Sequence, residues 1–494
     1  SLAGTTNKTL FGDENGYYAT SYFNQRLAGG NPFSQRDRSM AKNNGVNVNG
    51  TAFMNITPIK QVTFTSRLGY RLSFSNSSDW EFPYYLNAQT RGDNYKISGS
   101  SSNSTWYQWE NFVNYNQDFG KHSVGAMAGM SYRQYDSNGV HASASGSDIL
   151  KAYSSNFIYL DCVNGNKDTS KSIGGVPNTT RALSYFGRLT YSYDDRYSLQ
   201  ANFRADAFDS SKLSSDNRWG HFFSTSVGWT FSNEKFFKDN IDPSIMSFGK
   251  LRASWGQNGN VNVLNNYAYT AGIATNGQWY QYGTTNQVTY GSMPNGIANP
   301  NLTWEKSEQI DLGLDMRFLN NRLSIGLDWY KKTTKDLLVP APAMPESGVS
   351  TITINAGEVE NSGLEMELTW KDNIGDLKYS VSGNFATLKN KATFLDPSIQ
   401  RVEGATVEGA SPGAIRCYFE QGMPVWYMRG YKYAGRAEDG TAQYYAKDGS
   451  ITNDPQDDDM TNIGSGIPDV TYGITLNAEY KGFDLTIFGA GAAG

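Results

Sequence analysis

Four carboxylates crowd into one short stretch of the chain, NDPQDDDMTN at 453–462. They are Asp454, Asp457, Asp458 and Asp459. Hard oxygen ligands at this density are the kind that Ca²⁺ prefers, although the spacing lacks the glycine and the distal glutamate of an EF-hand loop. A solvated acidic loop and a weak calcium site therefore both stay open. The sequence requires no other cofactor.

Groups that would carry catalysis are scarce. The histidines are His122, His141 and His221, and the chain contains no H-E-x-x-H, C-x-x-C or G-x-S-x-G pattern. Neither zinc chemistry nor acyl transfer therefore has a set of residues to perform it. GAGAAG at 489–494 matches G-x-G-x-x-G after a predicted strand, but no helix or ribose-binding acid follows it. We therefore predict no catalytic residue and a protein that is not an enzyme.

The other candidate binding residues are aromatic and lie between predicted strands. They are Trp80, Trp279, Tyr280, Tyr282, Trp426 and Tyr427. Aromatic faces stack on sugar rings, and large apolar side chains are seldom left exposed without a partner. These residues are therefore candidates to bind a glycan. Packing against neighbouring loops or a covering protein is the alternative for each of them.

Bulk composition excludes a few classes of protein. With 494 residues and a formal net charge of −5, the chain has no overall attraction for nucleic acid, and no such partner is predicted. The sequence has no apolar run of about 18 residues, which excludes a membrane-spanning helix. A β-barrel stays possible, because its strands are apolar only at every second position. Cys162 and Cys417 could form a disulfide or remain two thiols.

A strict alternation of apolar and polar residues identifies the elements that must hold these side chains. In LSYFGRLTYSYDDRYSLQANFRADAF at 183–208, Leu189 and Tyr191 share one parity, and Arg188 and Arg204 lie on the other. Segments with this period predict fourteen strands. The predicted strands are 46–57, 61–74, 106–117, 121–134, 183–193, 197–207, 221–231, 249–256, 304–318, 322–333, 363–371, 376–387, 469–480 and 482–490. The segment 415–434 is ambiguous.

Short and long links alternate between these strands. The short links are 58–60, 118–120, 194–196, 319–321, 372–375 and Lys481, with 232–248 as a longer member, and the long links are 75–105, 135–182, 208–220, 257–303, 334–362 and 388–468. Short periplasmic turns and long external loops are typical of an outer-membrane barrel. The fold class predicted is therefore all-β, an antiparallel transmembrane β-barrel. A soluble β-sandwich is the alternative.

Aromatic residues collect at both ends of the predicted strands, as in the two girdles of a membrane barrel. Near the short turns they are Tyr191, Tyr193, Tyr197, Trp370, Tyr379, Tyr480 and Phe483, and at the opposite ends they are Trp255, Trp304 and Trp329. The apolar parity between the girdles would then face lipid of the outer membrane.

The polar parity would face a wet or plugged interior. Its charged members include Arg188, Arg204, Asp206, Arg252, Glu365 and Glu367. They are candidates to contact a plug or a substrate. Structural ladders between neighbouring strands would explain them equally well.

The direction of the strands also bears on completeness. If the first strand runs toward the short turn at 58–60 and the last runs away from the short turn at Lys481, both ends of the chain lie on the long-loop side. Bacterial barrels have no free edges and, as a class, keep both termini in the periplasm. We therefore expect an odd number of strands to be missing at each end. A complete fourteen-stranded barrel with inverted termini is the alternative.

Several segments closely resemble the barrel of SusC/RagA-type TonB-dependent transporters. They are LSYFGRLTYSYDDRYSLQANFRAD (183–206), RWGHFFSTSVGW (218–229), KLRASWGQNGN (250–260), NPNLTWEKSEQIDLGLD (299–315), NNRLSIGLDWYKKTTKDLL (320–338) and NAGEVENSGLEMEL (355–368). The resemblance implies a barrel of about 22 strands around an N-terminal plug. It also implies a SusD-like surface lipoprotein as a lid and energy from TonB with ExbB and ExbD. Residues 1–494 contain no plug or TonB box, and we expect them to be part of a larger barrel.

The function implied is active import across the cell outer membrane, without bond cleavage. An oligosaccharide is the favoured cargo, because the family commonly takes up such molecules and because the long links carry aromatic candidates. An oligopeptide is the second candidate. A passive porin and a structural or adhesive surface barrel are the rival classes.

Overall fold

The computed structural model describes Arg36 and residues 39–85, 91–146, 160–163, 170–209, 211–264, 266–282, 287–294, 296–349, 351–406 and 416–494. Contacts divide the chain into two units. The smaller unit comprises 1–55, 65–111 and 131–182, and the larger unit comprises 56–64, 112–130 and 183–494. Every candidate site residue except Trp80 belongs to the larger unit.

The described chain is mainly β-strand. In chain order the strands are β1 Ser39–Ile59, β2 Val62–Glu81, β3 Tyr84–Tyr85, β4 Arg91–Gly92, β5 Tyr95–Phe119, β6 His122–Gly146, β7 Ser170–Gly174, β8 Asn178–Tyr193, β9 Tyr197–Phe208, β10 Trp219–Trp229, β11 Met246–Asn260, β12 Ile273–Tyr282, β13 Gln287–Pro294, β14 Glu305–Phe318, β15 Leu323–Pro342, β16 Thr351–Ile374, β17 Leu377–Thr387, β18 Lys389–Leu395, β19 Val402–Thr406, β20 Arg416–Phe419, β21 Tyr427–Gly430, β22 Tyr433–Arg436, β23 Ala442–Tyr445, β24 Ile451–Thr452, β25 Thr461–Gly464, β26 Val470–Tyr480 and β27 Phe483–Ala493. A four-residue helix, α1, spans Lys235–Lys238, and 3₁₀ turns occur at 160–162, 231–233, 345–347 and 457–459. None of the helices in the described ranges is long and apolar enough to cross a membrane.

Sixteen of these strands form one sheet. Hydrogen-bonded neighbours follow the order β1-β2-β5-β6-β8-β9-β10-β11-β14-β15-β16-β17-β26-β27, with β7 paired to β6 and β18 to β16. Neighbours run antiparallel, and Leu327 on β15, for example, stands opposite Leu314 on β14 and Met366 on β16. The fourteen strands along this path correspond to the fourteen that the alternation predicts. The all-β, antiparallel prediction is therefore confirmed.

Several strands extend further than predicted on the side of the long links. β5 begins at Tyr95, β6 ends at Gly146, β15 ends at Pro342 and β16 begins at Thr351. The alternation fades in β5 and β6 because polar side chains occupy both faces, and in β15 because 337–342 is apolar on both faces and contains two prolines. The backbone ladder needs no alternation and continues, and the start of β16 pairs with that end of β15. It was therefore wrong to treat the whole of 75–105, 135–182 and 334–362 as links.

Three of the long links contain small sheets of their own, the first being the two-stranded β3-β4 sheet within 75–105. β12 and β13 form a hairpin within 257–303, while 388–468 holds a four-stranded sheet, β19-β20-β21-β25, and a three-stranded sheet, β22-β23-β24. The ambiguous segment 415–434 contributes to both of these loop sheets. None of its strands joins the main sheet in the described residues, although Gly422 donates to the carbonyl of Ala392 on β18 at 2.7 Å and Ala392 donates to that of Met423 at 2.9 Å.

The short turns are tight hairpin connections. At 194–196 the amide of Arg196 donates to the carbonyl of Tyr193 at 2.9 Å, and Asp194 and Asp195 both have φ of 52°. Positive φ at both central residues is the type I′ turn, whose twist matches that of a hairpin, and aspartate tolerates this region better than most side chains. The predicted short links are thus confirmed as the ends where the strands are joined most closely.

The larger unit has one apolar and one polar strand face. Leu251, Leu314, Leu327, Met366 and Phe385 stand in register across five strands on the apolar face. Members of this face are strongly exposed, Leu312 by 51% and Leu364 by 58% of its surface. An apolar surface of this kind is unfavourable in water and favourable against hydrocarbon. The face also contains an apolar recess of about 1100 Å³ around Leu312 and Leu364.

The aromatic residues follow the predicted girdles at the turn end but not throughout. Tyr197 stands opposite Trp229, and Tyr480 opposite Phe483, beside short turns. Trp304, however, is only 4% exposed, because the chain before β14 folds onto a loop cluster. That cluster comprises Leu213, Phe222, Val261, Leu264, Leu302 and Trp304. The prediction that Trp304 belongs to an interfacial girdle was therefore wrong.

Candidate functional site

Arg252 on β11 is the centre of the charged region of the polar face. Its guanidinium donates to Asp315 on β14 through Nε at 2.7 Å and Nη2 at 3.0 Å. Nη2 also donates to Asp328 on β15 at 3.1 Å. A two-pronged contact of arginine with carboxylate has a fixed geometry. Arg252 therefore ties three consecutive strands together, which favours the structural-ladder interpretation for this residue.

A glycine makes this bridge possible. Gly313 stands between Arg252 and Asp328 in the register of β11, β14 and β15. A Cβ at Gly313 would lie 2.6 Å from the guanidinium carbon of Arg252, much closer than van der Waals contact allows. The missing side chain lets Arg252 cross β14 and reach the strand beyond it.

Glu365 and Glu367 continue the polar face on β16. Glu365 stands opposite Asp328, and Glu367 opposite Gly326 on β15 and Asn384 on β17. Both side chains are exposed, and they border a cavity of about 460 Å³ that Arg252 also lines. Neither glutamate forms an ion pair with a described residue. The two carboxylates are therefore available to a ligand or to another segment.

The remaining charged candidates form a second ladder on β8 and β9. Arg188 donates to Asn202 at 2.8 Å, and Asn202 donates to Ser224 at 3.0 Å. Arg204 contacts both carboxylate oxygens of Asp206 at 2.8 Å. The structure therefore places Arg188, Arg204 and Asp206 on the polar face, as predicted, with partners inside the sheet.

Of the loop aromatics, Trp80 lies in the smaller unit at the end of β2. Its ring stacks on Phe82 with centroids 4.5 Å apart, and it packs on a buried cluster that includes Ile97 and Val163. This packing supports the structural alternative for Trp80. The side chains of Trp279, Tyr280 and Tyr282 lie outside the described part of the structure.

Tyr427 does not act as an exposed binding residue. It is only 2% exposed, and its hydroxyl donates to a carboxylate oxygen of Glu420 at 2.5 Å. Burial, followed by the hydrogen bond to Glu420, raises the pKa of Tyr427 to about 12. The interpretation of Tyr427 as a sugar-stacking residue was wrong, because its ring belongs to the interior of the loop sheet.

Trp426, the next residue, has the opposite environment. Its side chain is 45% exposed, and its backbone has φ of 55°. Positive φ is rare for a bulky residue and costs energy that the surrounding structure must supply. The ring covers Gly404, where a Cβ would lie 2.8 Å from ring carbons. Trp426 is therefore held in an outward position, as a stacking residue requires.

The three-stranded loop sheet brings together tyrosines that the sequence patterns did not single out. Tyr444 is 5.8 Å from Tyr431 and 6.3 Å from Tyr433 between ring centroids, and Lys432 lies over the ring of Tyr445 at 5.7 Å. Tyr433 is 57% exposed. The sequence does contain a signal for these short hairpins. It is the pair of Asp-Gly turns at 439–440 and 448–449 within the long link.

The four aspartates of the acidic loop do not converge on one point. Asp457–Asp459 form a 3₁₀ turn, and the carboxylate of Asp459 accepts from the amides of Lys447 at 2.9 Å and Gln456 at 2.8 Å. In the described ranges no group of three or more acidic, histidine or cysteine side chains is placed to hold a metal. The Asp459 carboxylate instead organises the loop, and a calcium site stays a prediction from sequence only.

Cys417 lies half-buried in β20 as a free cysteine. The side chain of Cys162 lies outside the described part of the structure. The free-thiol alternative is therefore the one that the structure favours for Cys417.

Comparison with known proteins provides an independent view of the chain. A family model described as TonB dependent receptor-like, beta-barrel matches residues 3–489. The chain is 30% identical over 398 residues to TonB-dependent receptor P3 of Formosa agariphila, covering 77% of this chain and 38% of that protein. It is 32% identical over 315 residues to TonB-dependent receptor SusC of Bacteroides thetaiotaomicron, covering 62% of this chain and 30% of that protein.

Solved structures share the fold. The RagAB peptide importer in its open-open state matches with a TM-score of 0.79 at 24% identity, covering 97% of this chain and 50% of that one. The chain thus spans about half of that structure and about 38% of the first of the curated relatives.

Proposed function

The chain belongs to the TonB-dependent receptor-like β-barrel family, and from this membership we propose that the protein takes part in active import of a bulky nutrient across the outer membrane. The family consists of outer-membrane receptors and transporters. The predictions of an outer-membrane location and of a protein that is not an enzyme are confirmed by this match. The SusC/RagA-type resemblance is confirmed as well.

One observation carries the proposal, the separation of apolar and polar side chains onto opposite faces of the same strands. The apolar face, with Leu312 and Leu364 strongly exposed, suits contact with lipid. The polar face carries Asp315, Asp328, Glu365 and Arg252 and suits an aqueous or plugged lumen. We place the substrate route along this polar face.

The partners proposed are those of the SusC/RagA type. A SusD-like lipoprotein would cover the loop end, and TonB with ExbB and ExbD would supply energy through a plug. Glu365 and Glu367, exposed and without ion pairs in the described residues, are the side chains proposed to meet the plug or the cargo. Arg252 holds the adjoining strands in place beside them.

An oligosaccharide is the cargo that the loop end supports best. Trp426, Tyr433 and Tyr445 are exposed by 45%, 57% and 40% of their surfaces. Tyrosine and tryptophan rings offer apolar faces to sugar rings and polar edges to hydroxyl groups. An oligopeptide is the second candidate, since the acidic polar face would attract cationic peptides, and RagAB, which shares the fold, is described as a peptide importer.

The choice of cargo can be tested with the full-length protein and its lipoprotein partner. We expect calorimetric titration with panels of oligosaccharides and oligopeptides to show glycan binding, which the double variant Trp426→Ala/Tyr433→Ala weakens. Tight peptide binding without binding of any glycan would reject the oligosaccharide and leave the import proposal intact.

A further inference from the structure

The apolar face changes character abruptly near the loop end of the larger unit. Along β15 the outward residues are Leu327, then Trp329, then Lys331 and Lys335. Along β14 they are Leu312 and Ile310, followed by charged residues. Lysines dominate the outward positions beyond this boundary, and we call them the lysine rim. The lysine rim comprises Lys306, Lys331, Lys335, Lys389 and Lys391.

Register shows that these lysines share one face, at successive levels beyond the apolar boundary. Lys331 stands opposite Ile310 on β14 and Ser362 on β16, and Ser362 stands opposite Lys389 on β18. Four residues further out, about 13 Å along the strands, Lys306 faces Lys335. The neighbouring residues of opposite parity are inward, since Glu305 and Ala392 are buried. The lysine rim is therefore continuous with the exposed apolar face below it.

The lysine rim has an excess of positive charge. Lys331 pairs with Glu360 at 2.8 Å, and Lys335 with Glu308 at 3.2 Å. Lys306, Lys389 and Lys391 are exposed, and none of them forms an ion pair with a described residue. Five lysines and three glutamates, Glu308, Glu358 and Glu360, leave a charge of +2 on a chain whose overall charge is −5. Lys306 stands directly opposite Lys335, an unfavourable pairing of like charges, and the single carboxylate of Glu308 beside them compensates only one of the two.

The level of the lysine rim matches the boundary of a bilayer. From Phe318 beside the turn to Ile310 the strand rises by about 26 Å at about 3.3 Å per residue, and tilt reduces this span to roughly the height of the apolar band of an outer-membrane barrel. Trp255 and Trp329 lie at its upper end, where interfacial tryptophans are expected. The indole N–H of Trp255 donates to Glu308 at 3.1 Å, which ties the aromatic ring to the rim.

We propose that the lysine rim binds the phosphate groups of phosphorylated lipid in the outer leaflet of the outer membrane. The acyl chains pack on the apolar face, and the phosphates of neighbouring lipid headgroups meet Lys389 and Lys391 on β18 and Lys306 on β14. Charge complementarity and continuity with the lipid-facing surface select this occupant. The inference rests on the outer-membrane location and is independent of the cargo.

Native mass spectrometry of the full-length protein in a non-ionic detergent can test this inference. The probe is monophosphoryl lipid A, compared with the same lipid after removal of its phosphate. The variant Lys306→Gln/Lys389→Gln/Lys391→Gln is expected to bind the phosphorylated probe on the order of 100-fold more weakly, since each lysine near an anionic surface contributes about fivefold. The phosphate-free lipid should bind wild type and variant alike.

The matched control removes the same charge elsewhere, in Lys235→Gln/Lys238→Gln/Lys447→Gln, where the lysines are exposed at the turn end and in the acidic loop. This control should keep wild-type affinity. Equal losses in the two triple variants, or equal affinity of the wild type for the phosphorylated and phosphate-free lipids, would overturn the proposal.

Discussion

The two ends of the larger unit differ in whether their side chains find partners within the chain. At the turn end, the carboxylate of Glu234 accepts from Arg196 at 2.8 Å, Tyr197 at 2.5 Å and Trp229 at 3.2 Å, and the Arg196 guanidinium lies over the rings of Tyr193 and Tyr197. The Glu234 carboxylate thus receives three hydrogen bonds from within the chain, although the buried Nε of Arg196 has no hydrogen-bond partner. The corner is therefore built to fix how two hairpins meet.

At the loop end, small separate sheets hold aromatic rings outward. Trp426 keeps a positive φ and remains exposed, and Tyr433 and Tyr445 protrude from the three-stranded sheet. Interactions inside the chain are therefore satisfied mainly at one end, while contacts to other molecules are offered at the other. The residues that stabilise the fold and the residues that are exposed for binding therefore lie at opposite ends of the same strands.

The largest effect is expected from a residue that breaks this division. Tyr427 lies in the loop end but is buried, so Tyr427→Ala should lower the free energy of unfolding by about 4 kcal/mol, the usual cost of deleting a buried aromatic ring. Denaturant unfolding in detergent measures this. A change below about 1 kcal/mol would mean that the loop sheet has no packed interior.

Between the two ends, Gly313 should be sensitive because Arg252 crosses it. Gly313→Val should displace the guanidinium from Asp328 and lower the free energy of unfolding by about 2 kcal/mol, in the range of overpacking. Gly326→Val is the matched control on the same face, since its nearest side-chain neighbour would be 3.8 Å from the new Cβ. Equal effects of the two substitutions would show that the bridge does not depend on Gly313.

The exposed neighbour of Tyr427 should show the reverse behaviour. Trp426→Ala is expected to weaken cargo binding by about tenfold, in the range of an aromatic stacking contact, while the free energy of unfolding stays nearly unchanged. Calorimetric titration and unfolding of the same preparation check both halves of this prediction. Loss of stability without loss of binding would show that Trp426 stabilises the fold and does not bind the cargo.

The smallest effect is expected at the turn end under acid. The hydrogen bond from Tyr197, followed by that from Arg196, lowers the pKa of Glu234 in the folded protein. A lowered pKa adds stability that is present above the unfolded value of about 4.3 and is lost as the pH falls through the folded value. Melting temperatures measured below pH 4.5 should therefore fall more steeply in wild type than in Glu234→Gln. Parallel curves would show that Glu234 does not contribute through its charge.

Alternation alone was sufficient to predict the main sheet, because the two strand faces meet different surroundings and each residue reports its face. It failed for the ends of β5 and β6, where both faces are polar, and for the end of β15 at 337–342, where both faces are apolar and two prolines argue against a strand. The start of β16, which pairs with that end of β15, was missed with it. The two sheets within 388–468 were missed because their strands of two to five residues are too short to show a period.

Some features of the candidate site were likewise predictable from the sequence and others were not. Arg252, Glu365 and Glu367 were placed on the correct face by parity, but the bridge over Gly313 depends on register between strands, which residue spacing does not give. Trp426 and Tyr427 are adjacent aromatic residues and the sequence treats them alike. Only the fold shows that one faces outward and the other is enclosed.

Uptake by whole cells tests the central claim most directly. Cells that carry the full-length protein and its lipoprotein partner are given a fluorescent oligosaccharide that the pair binds, with TonB either intact or deleted. We expect accumulation inside the cell only with intact TonB. Accumulation that continues at the same rate without TonB would contradict active import and identify the protein as a passive pore.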